Sequence, residues 1–170
     1  KVTKDQRAIE EYIFQKDLYG KAILHVGVGS SHIAKRCAET AECSIDGITI
    51  VPAEKTYADG LRLKNYAVHI MNKNDPESLS KLSGNYTFII DNDIAAYACC
   101  KAHFEQMLKT YLALLAMDGE ILGGKESICY FDSGFPLPDF YLKKLSDKYA
   151  CLFVQTQSLI KITPLASIPK

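Results

Sequence analysis

The 170-residue chain reads as an α/β protein: an open, mostly parallel sheet of seven strands, covered by helices on both faces, with an antiparallel last strand. Three observations predict it. Five short apolar runs alternate with helical patterns, an order that demands crossover connections and a parallel sheet. The first run, residues 22–28, bends through Gly27-Val28-Gly29-Ser30-Ser31 straight into a helical pattern, as a buried strand does when it hands over to a helix whose amino terminus faces a ligand. The last two runs, residues 151–154 and 158–162, are joined by a connection too short for a crossover helix and should form an antiparallel pair.

Each element has its own signal. Residues 3–18 carry Ile9, Tyr12, Ile13 and Phe14 among charges, a helix-like pattern that Tyr19-Gly20-Lys21 ends. The strand at 22–28 and its glycine turn lead into a helix over 31–41. Asp46-Gly47 reads as a turn before the β-branched run 48–51, which Pro52 stops. A helix over 54–63 precedes the third strand, 66–71, which ends in the polar Asn72-Lys73-Asn74-Asp75-Pro76. A short helix at 77–82 and the loop Ser83-Gly84-Asn85 lead to the fourth strand, 86–90, which ends in Asp91-Asn92-Asp93. The longest helix spans 94–116, with Met107, Leu108, Tyr111, Leu112, Leu114 and Leu115 as its apolar stripe, and Asp118-Gly119 closes it before a fifth strand at 120–124. Residues 125–138 are irregular, broken by Gly134, Pro136 and Pro138, and a helix over 139–149 precedes the terminal hairpin. No repeat, low-complexity tract or linker interrupts the chain, so a single domain over 1–170 is expected, with residues 1–20 forming part of its site.

Charge and cysteine usage narrow the function classes. Lys+Arg and Asp+Glu are both 20, and no basic run tracks a phosphate backbone, which argues against a nucleic-acid partner. The six cysteines (Cys37, Cys43, Cys99, Cys100, Cys129 and Cys151) form no C-x-x-C pair and no metal-like spacing with histidine, so free thiols in a reducing cytoplasm are expected. No apolar run approaches a membrane span and no secretory segment stands out; the expected location is cytoplasmic, with no membrane partner.

In an open α/β sheet, ligands sit at the carboxyl ends of the strands. Here those ends are Gly27 to Ser31, Pro52-Ala53-Glu54, Asn72 to Asp75 and Asp91-Asn92-Asp93. Carboxylates and amides in a row suit a ligand rich in hydroxyls and amines and would repel a diphosphate. A tight turn without a ligand is the competing reading of the glycines. The next strand end, Gly123-Gly124-Lys125, offers no third acidic ligand, so no metal is expected. Asp91 and Asp93 are also suited to capping the long helix. His103, in its first turns, is a candidate general base or else a partly buried histidine with a satisfied hydrogen bond. Cys99 and Cys100 are read as core-filling, and Lys73 as a guide for an anionic acceptor group or a solvated loop residue. Tyr97, Phe131 and Phe135 are candidates for an acceptor pocket or for the core.

Over nearly its full length the chain resembles the class I S-adenosylmethionine-dependent methyltransferases. The resemblance rests on the turn Gly27 to Ser31, the strand Tyr86 to Asp91, the passage Leu114-Leu115-Ala116-Met117-Asp118-Gly119-Glu120-Ile121-Leu122, and the helix with a reversed final strand. Within the family it is similar to small enzymes associated with polysaccharide or natural-product genes, on the glycine-serine-serine turn and an Asp-Asn followed by Cys-Cys-x-x-His-Phe. It implies a Rossmann-like methyltransferase fold, S-adenosylmethionine as cofactor, and methyl transfer to a small-molecule or carrier-linked acceptor. By position, His25, Gly27, Gly29, Ser30 and Ser31 would surround the methionine part of the cofactor, with Ser31 in place of a third glycine. The ribose slot at the end of the second strand falls on Pro52, with Glu54 two residues on; Asn74 and Asp75 fall at the adenine contact, and Asp91 and Asn92 at the methyl-transfer mouth. Asp91 and His103 are the catalytic candidates should a hydroxyl acceptor need a base. Transfer of an aminocarboxypropyl or aminopropyl group, or a non-catalytic binding module, are the alternatives. A homodimer sharing its site is one way to supply missing acceptor walls.

Overall fold

A computed structural model describes residues 3–40, 42–95, 100–124 and 139–165. Helix α1 (Lys4–Ile13) starts where the Thr3 hydroxyl accepts the Gln6 N–H at 3.2 Å, a side-chain cap for its first turn. There follow β1 (Ala22–Val26), α2 (His32–Thr40), β2 (Ser44–Thr49), α3 (Pro52–Gly60), β3 (Tyr66–Ile70), α4 (Pro76–Leu79) and β4 (Tyr86–Asp91). The chain continues through α5 (Lys101–Leu114), β5 (Leu115–Gly124), α6 (Asp139–Tyr149), β6 (Cys151–Gln155) and β7 (Leu159–Pro164).

All seven strands form one sheet in the order β3-β2-β1-β4-β5-β7-β6. β7 runs antiparallel to both β5 and β6, and the other pairings are parallel, as expected from the short terminal connection. The chain builds outward from β1 to β3, then returns to place β4 on the other side of β1. That reversal opens a crevice above the carboxyl ends of β1 and β4.

Alternation along the strands divides the core between two faces. Ile23, Ile45, Phe88, Ile90 and Leu122 pack under α1 and α2 against Ile9, Ile13, Ile33 and Cys37. Leu24, Val26, Ile48, Ile89 and Ile121 pack on the other face against Phe104, Met107, Leu108 and Tyr111 of α5 and Leu142 and Leu145 of α6.

Several boundaries differ from those expected, and those at the two Asp-Gly pairs and at the long helix bear on the packing. Asp46-Gly47 is no turn: β2 starts at Ser44 and both residues pair within it, Gly47 with His25 on one side and Val68 on the other. A Cβ on Gly47 would run into the Val28 side chain, which crosses that spot, so the glycine serves close packing, and Asp46 accepts the Tyr86 hydroxyl at 2.7 Å. The strand consequently ends at Thr49, three residues before Pro52. The long helix begins at Lys101 rather than 94, because residues 92–95 form a turn held by Lys73. It ends at Leu114, and Asp118-Gly119 lie inside β5. A Cβ on Gly119 would stand 2.7 Å from the Tyr86 carbonyl oxygen, so here glycine lets β5 close on β4 where their register shifts.

Gly47→Ala is therefore expected to destabilise the fold by about 1–3 kcal/mol through overpacking against Val28. Chemical denaturation checks it, and unchanged stability would show that Val28 yields freely.

Candidate functional site

A cleft of about 450 Å³ runs along the carboxyl ends of β3, β2, β1 and β4. Its glycine edge follows from backbone conformation. Gly27 and Gly29 have φ of +75° and +52°, which L side chains rarely adopt, and a Cβ on either would extend into open space. Ser31 shares the left-handed conformation at +58°, but it is fully buried, and its hydroxyl and that of Tyr66 lie 2.7 Å apart, tying the loop to β3. Ser30 is exposed.

Glu54, in the first turn of α3, reaches back over the end of β2. Its carboxylate accepts the Gly29 N–H at 3.0 Å and lies 3.4 Å from the Thr49 hydroxyl, which itself accepts the Val51 N–H at 3.0 Å. One acidic side chain thus joins the glycine loop to the end of the second strand. The slot assigned to Pro52 belongs by strand register to Thr49, and Pro52 instead occupies the first turn of α3, where its missing N–H costs nothing.

The far wall rests on a buried ion pair. Lys73 is 8% exposed and Asp91 3%. The Lys73 ammonium donates to Asp91 Oδ2 at 2.9 Å, to the Asp93 carbonyl at 2.9 Å and to the Ile94 carbonyl at 3.5 Å. Tyr111, from α5, donates its hydroxyl to the same Asp91 oxygen at 2.8 Å. Burial, then the Asp91 charge, push the Tyr111 phenol well above its ordinary range, so it remains a donor. Lys73 is therefore neither a solvated loop residue nor a free guide for an anion, and among the described residues Asp91 caps no helix, since α5 begins ten residues later. At the rim, loss of solvation and then the Asp91 carboxylate raise the Asp93 carboxyl, with Lys73 opposing and Asp5 adding to the rise.

Of the residues singled out in the sequence, Gly27, Gly29, Glu54, Lys73, Asn74, Asp91, Asn92 and Asp93 line the cleft. Asp75 does not: it caps α4, taking the Ser78 hydroxyl at 2.6 Å, and that bond holds its carboxyl below the usual carboxylate range. His103 lies on the exposed side of α5, outside the cleft lining. His25 is 1% exposed on the α1 face of β1, with neither ring nitrogen hydrogen-bonded to any described residue. Burial pushes its pKa down to about 4, against the pull of Asp91. Thr49, Ile50 and Met71 line the cleft without having been singled out. Thr49 had a signal, as the strand residue that pairs with Ile70. Tyr97, Cys99, Cys129, Phe131, Phe135 and the segment 125–138 lie outside the described residues.

No protein-family profile matches the chain, and no curated protein matches it in sequence. Solved structures do. ChlM, the magnesium protoporphyrin IX methyltransferase of Synechocystis with bound S-adenosylmethionine, matches with a TM-score of 0.68 at 12% identity, over 94% of this chain and 79% of its own. The N-methyltransferase NodS of Bradyrhizobium japonicum, in complex with S-adenosylhomocysteine, matches at 0.66 and 13% identity, over 93% and 86%. The 4+2 cyclase SpnF matches at 0.60 and 14%, over 86% and 58%. The chain has the class I S-adenosylmethionine-dependent methyltransferase fold. A fold shared with a cyclase does not by itself assign the reaction.

Two outcomes test the site's electrostatics. Lys73→Met leaves Asp91 buried beside Tyr111 alone and is expected to cost about 3–5 kcal/mol in chemical denaturation. A loss below 1 kcal/mol would show that water replaces the ammonium. For His25, the folded state holds the ring neutral to about pH 4, whereas the unfolded chain protonates near 6.5. Stability is therefore full above pH 6.5 and falls as acidification toward pH 4 protonates the unfolded chain first, by up to about 3 kcal/mol. His25→Phe should lack that share of the acid-induced loss; parallel curves for the two proteins would refute it.

Proposed function

We infer that the cleft binds S-adenosylmethionine and that the protein transfers its methyl group to a small-molecule or carrier-linked acceptor. The observation that carries this is Glu54: its carboxylate stands over the end of β2, beside a glycine loop open to a ligand. Such a carboxylate accepts hydrogen bonds from a sugar diol, and together with Asp91 and Asp93 it disfavours a diphosphate. In this reading Gly27 and Gly29 let the backbone approach the amino-acid part of the cofactor, with Ser30 and Ser31 behind them. Glu54, assisted by Thr49, holds the ribose hydroxyls. Asn74 and the apolar Ile50 and Met71 flank the adenine, and Asp91 and Asn92 border the reacting end.

When bound, the cofactor supplies an electrophilic methyl carbon on a sulfonium. The chain's own task is then to align the acceptor and exclude water. Asp91 contributes by holding the loop 92–95 through Lys73, with its Oδ2 already engaged by two donors. His103 receives no proton-transfer role, because it stands outside the cleft.

Calorimetry with S-adenosylhomocysteine tests the reading. Micromolar binding is expected, and no binding at high micromolar concentration overturns it. Glu54→Gln should weaken the affinity about tenfold or more, as loss of a charged hydrogen-bond acceptor does. Gly29→Val should abolish binding, because a β-branched residue does not adopt its φ of +52° without strain. Release of methylthioadenosine in place of S-adenosylhomocysteine during turnover would assign aminocarboxypropyl or aminopropyl transfer instead.

A further inference from the structure

Both ring nitrogens of His25 and the Asn92 Oδ1 are buried without a hydrogen-bond partner among the described residues. Such atoms in a native fold mark a place that a ligand or an ordered water fills. The two residues face the same way. His25 pairs with Ile90 in the β1–β4 register, and Asn92 follows two residues later, so both project toward α1 with Ile23 and Ile90. The amide of Asn92 confirms this, donating to Gln6 Oε1 of α1 across 3.5 Å, a long bond that a ligand can displace. Around them the charge is acidic. Asp5, in the first turn of α1, sets its carboxylate against Gly124, and Asp93 stands at the rim within its field.

We propose that the region between β1, β4 and α1 is the acceptor site, and that the acceptor is a primary amine whose two N–H groups bond to the unprotonated ring nitrogen of His25 and to Asn92 Oδ1. The assignment rests on the S-adenosylmethionine reading above. A neutral primary amine carries two N–H donors and one lone pair. Two acceptors on the same side of the sheet engage both donors and leave the lone pair free to attack. A hydroxyl carries one hydrogen, so it would leave one of the two acceptors unpaired, and it would need a base. The nearest strand-end candidate, Asp91, projects to the opposite face of the sheet and already accepts from Lys73 and Tyr111. The Asp5 and Asp93 carboxylates draw the ammonium form to the mouth, where it gives a proton to Asp93 or to solvent. The amine lone pair then forms the N–C bond to the methyl carbon as the C–S bond breaks, leaving its electron pair on a neutral thioether. The resulting secondary ammonium loses its proton by the same route.

The test uses the whole protein saturated with S-adenosylhomocysteine and three matched probe pairs: butylamine and butanol, glucosamine and glucose, phenethylamine and phenethyl alcohol. Calorimetry is expected to show at least one amine binding about tenfold or more above its alcohol. With methyl-labelled S-adenosylmethionine, that amine should yield an N-methyl product. His25→Phe and Asn92→Ala should each lose the amine preference in protein that still binds S-adenosylhomocysteine. Asn92 is only half-buried, so its variant serves even where His25→Phe fails to fold. His25→Gln, which keeps an acceptor oxygen, should restore part of the preference. Alcohols binding as well as amines, no amine binding, or O-methyl products would overturn the proposal. So would loss of S-adenosylhomocysteine affinity in folded variants, which would place the two residues on the cofactor. Failure of the wild type to bind S-adenosylhomocysteine would instead remove the reading beneath it.

Discussion

The cleft depends on one carboxylate. Asp91 ends the fourth strand almost out of reach of water, and a charge so placed is tolerable only because Lys73 and Tyr111 both donate to it. The arrangement links three parts of the chain: the exit of β3, the exit of β4 and the body of α5. Lys73 also donates to the carbonyls of Asp93 and Ile94, so the turn that forms one wall is held by the charge that neutralises Asp91. Removing either Lys73 or Asp91 leaves an uncompensated charge in the interior.

The opposite wall is organised differently. At the end of β2 stands Thr49, a neutral residue, and the acidic group comes from the following helix. Glu54 reaches that place because Pro52 starts α3 immediately and sets the first helical turn facing the glycine loop. Its bond to the Gly29 N–H means that the loop and the acid are positioned by one another. A substitution at either therefore acts on both.

The sheet was legible because its strands are short apolar runs between polar ends, and two of its connections admit one topology. What was not legible depended on contacts between segments distant in the chain. Asp46-Gly47 looks like a turn locally, and only the crossing Val28 side chain explains a glycine in mid-strand. Asp118-Gly119 looks like a helix end, and only the Tyr86 carbonyl explains that glycine. Among the site residues, the glycines and Glu54 were visible because their chemistry is local to a strand end. Lys73 was not, because an ammonium between Asn72 and Asn74 gives no sign that a carboxylate 18 residues away will bury it. His25 drew attention by position, while its lack of partners emerged only with the packing of α1.

The placement of β7 between β5 and β6 has a consequence for synthesis on the ribosome. Among the described residues β6 has no ladder partner other than β7, which follows it in the chain. While the nascent chain lengthens, β5 therefore keeps an open edge and β6 stays unpaired until residues 159–164 emerge. Their insertion closes one strand gap and protects two edges at once. Until then the apolar Ile121 and Leu122 stand at the border of an unfinished sheet, the kind of edge on which chains pair wrongly.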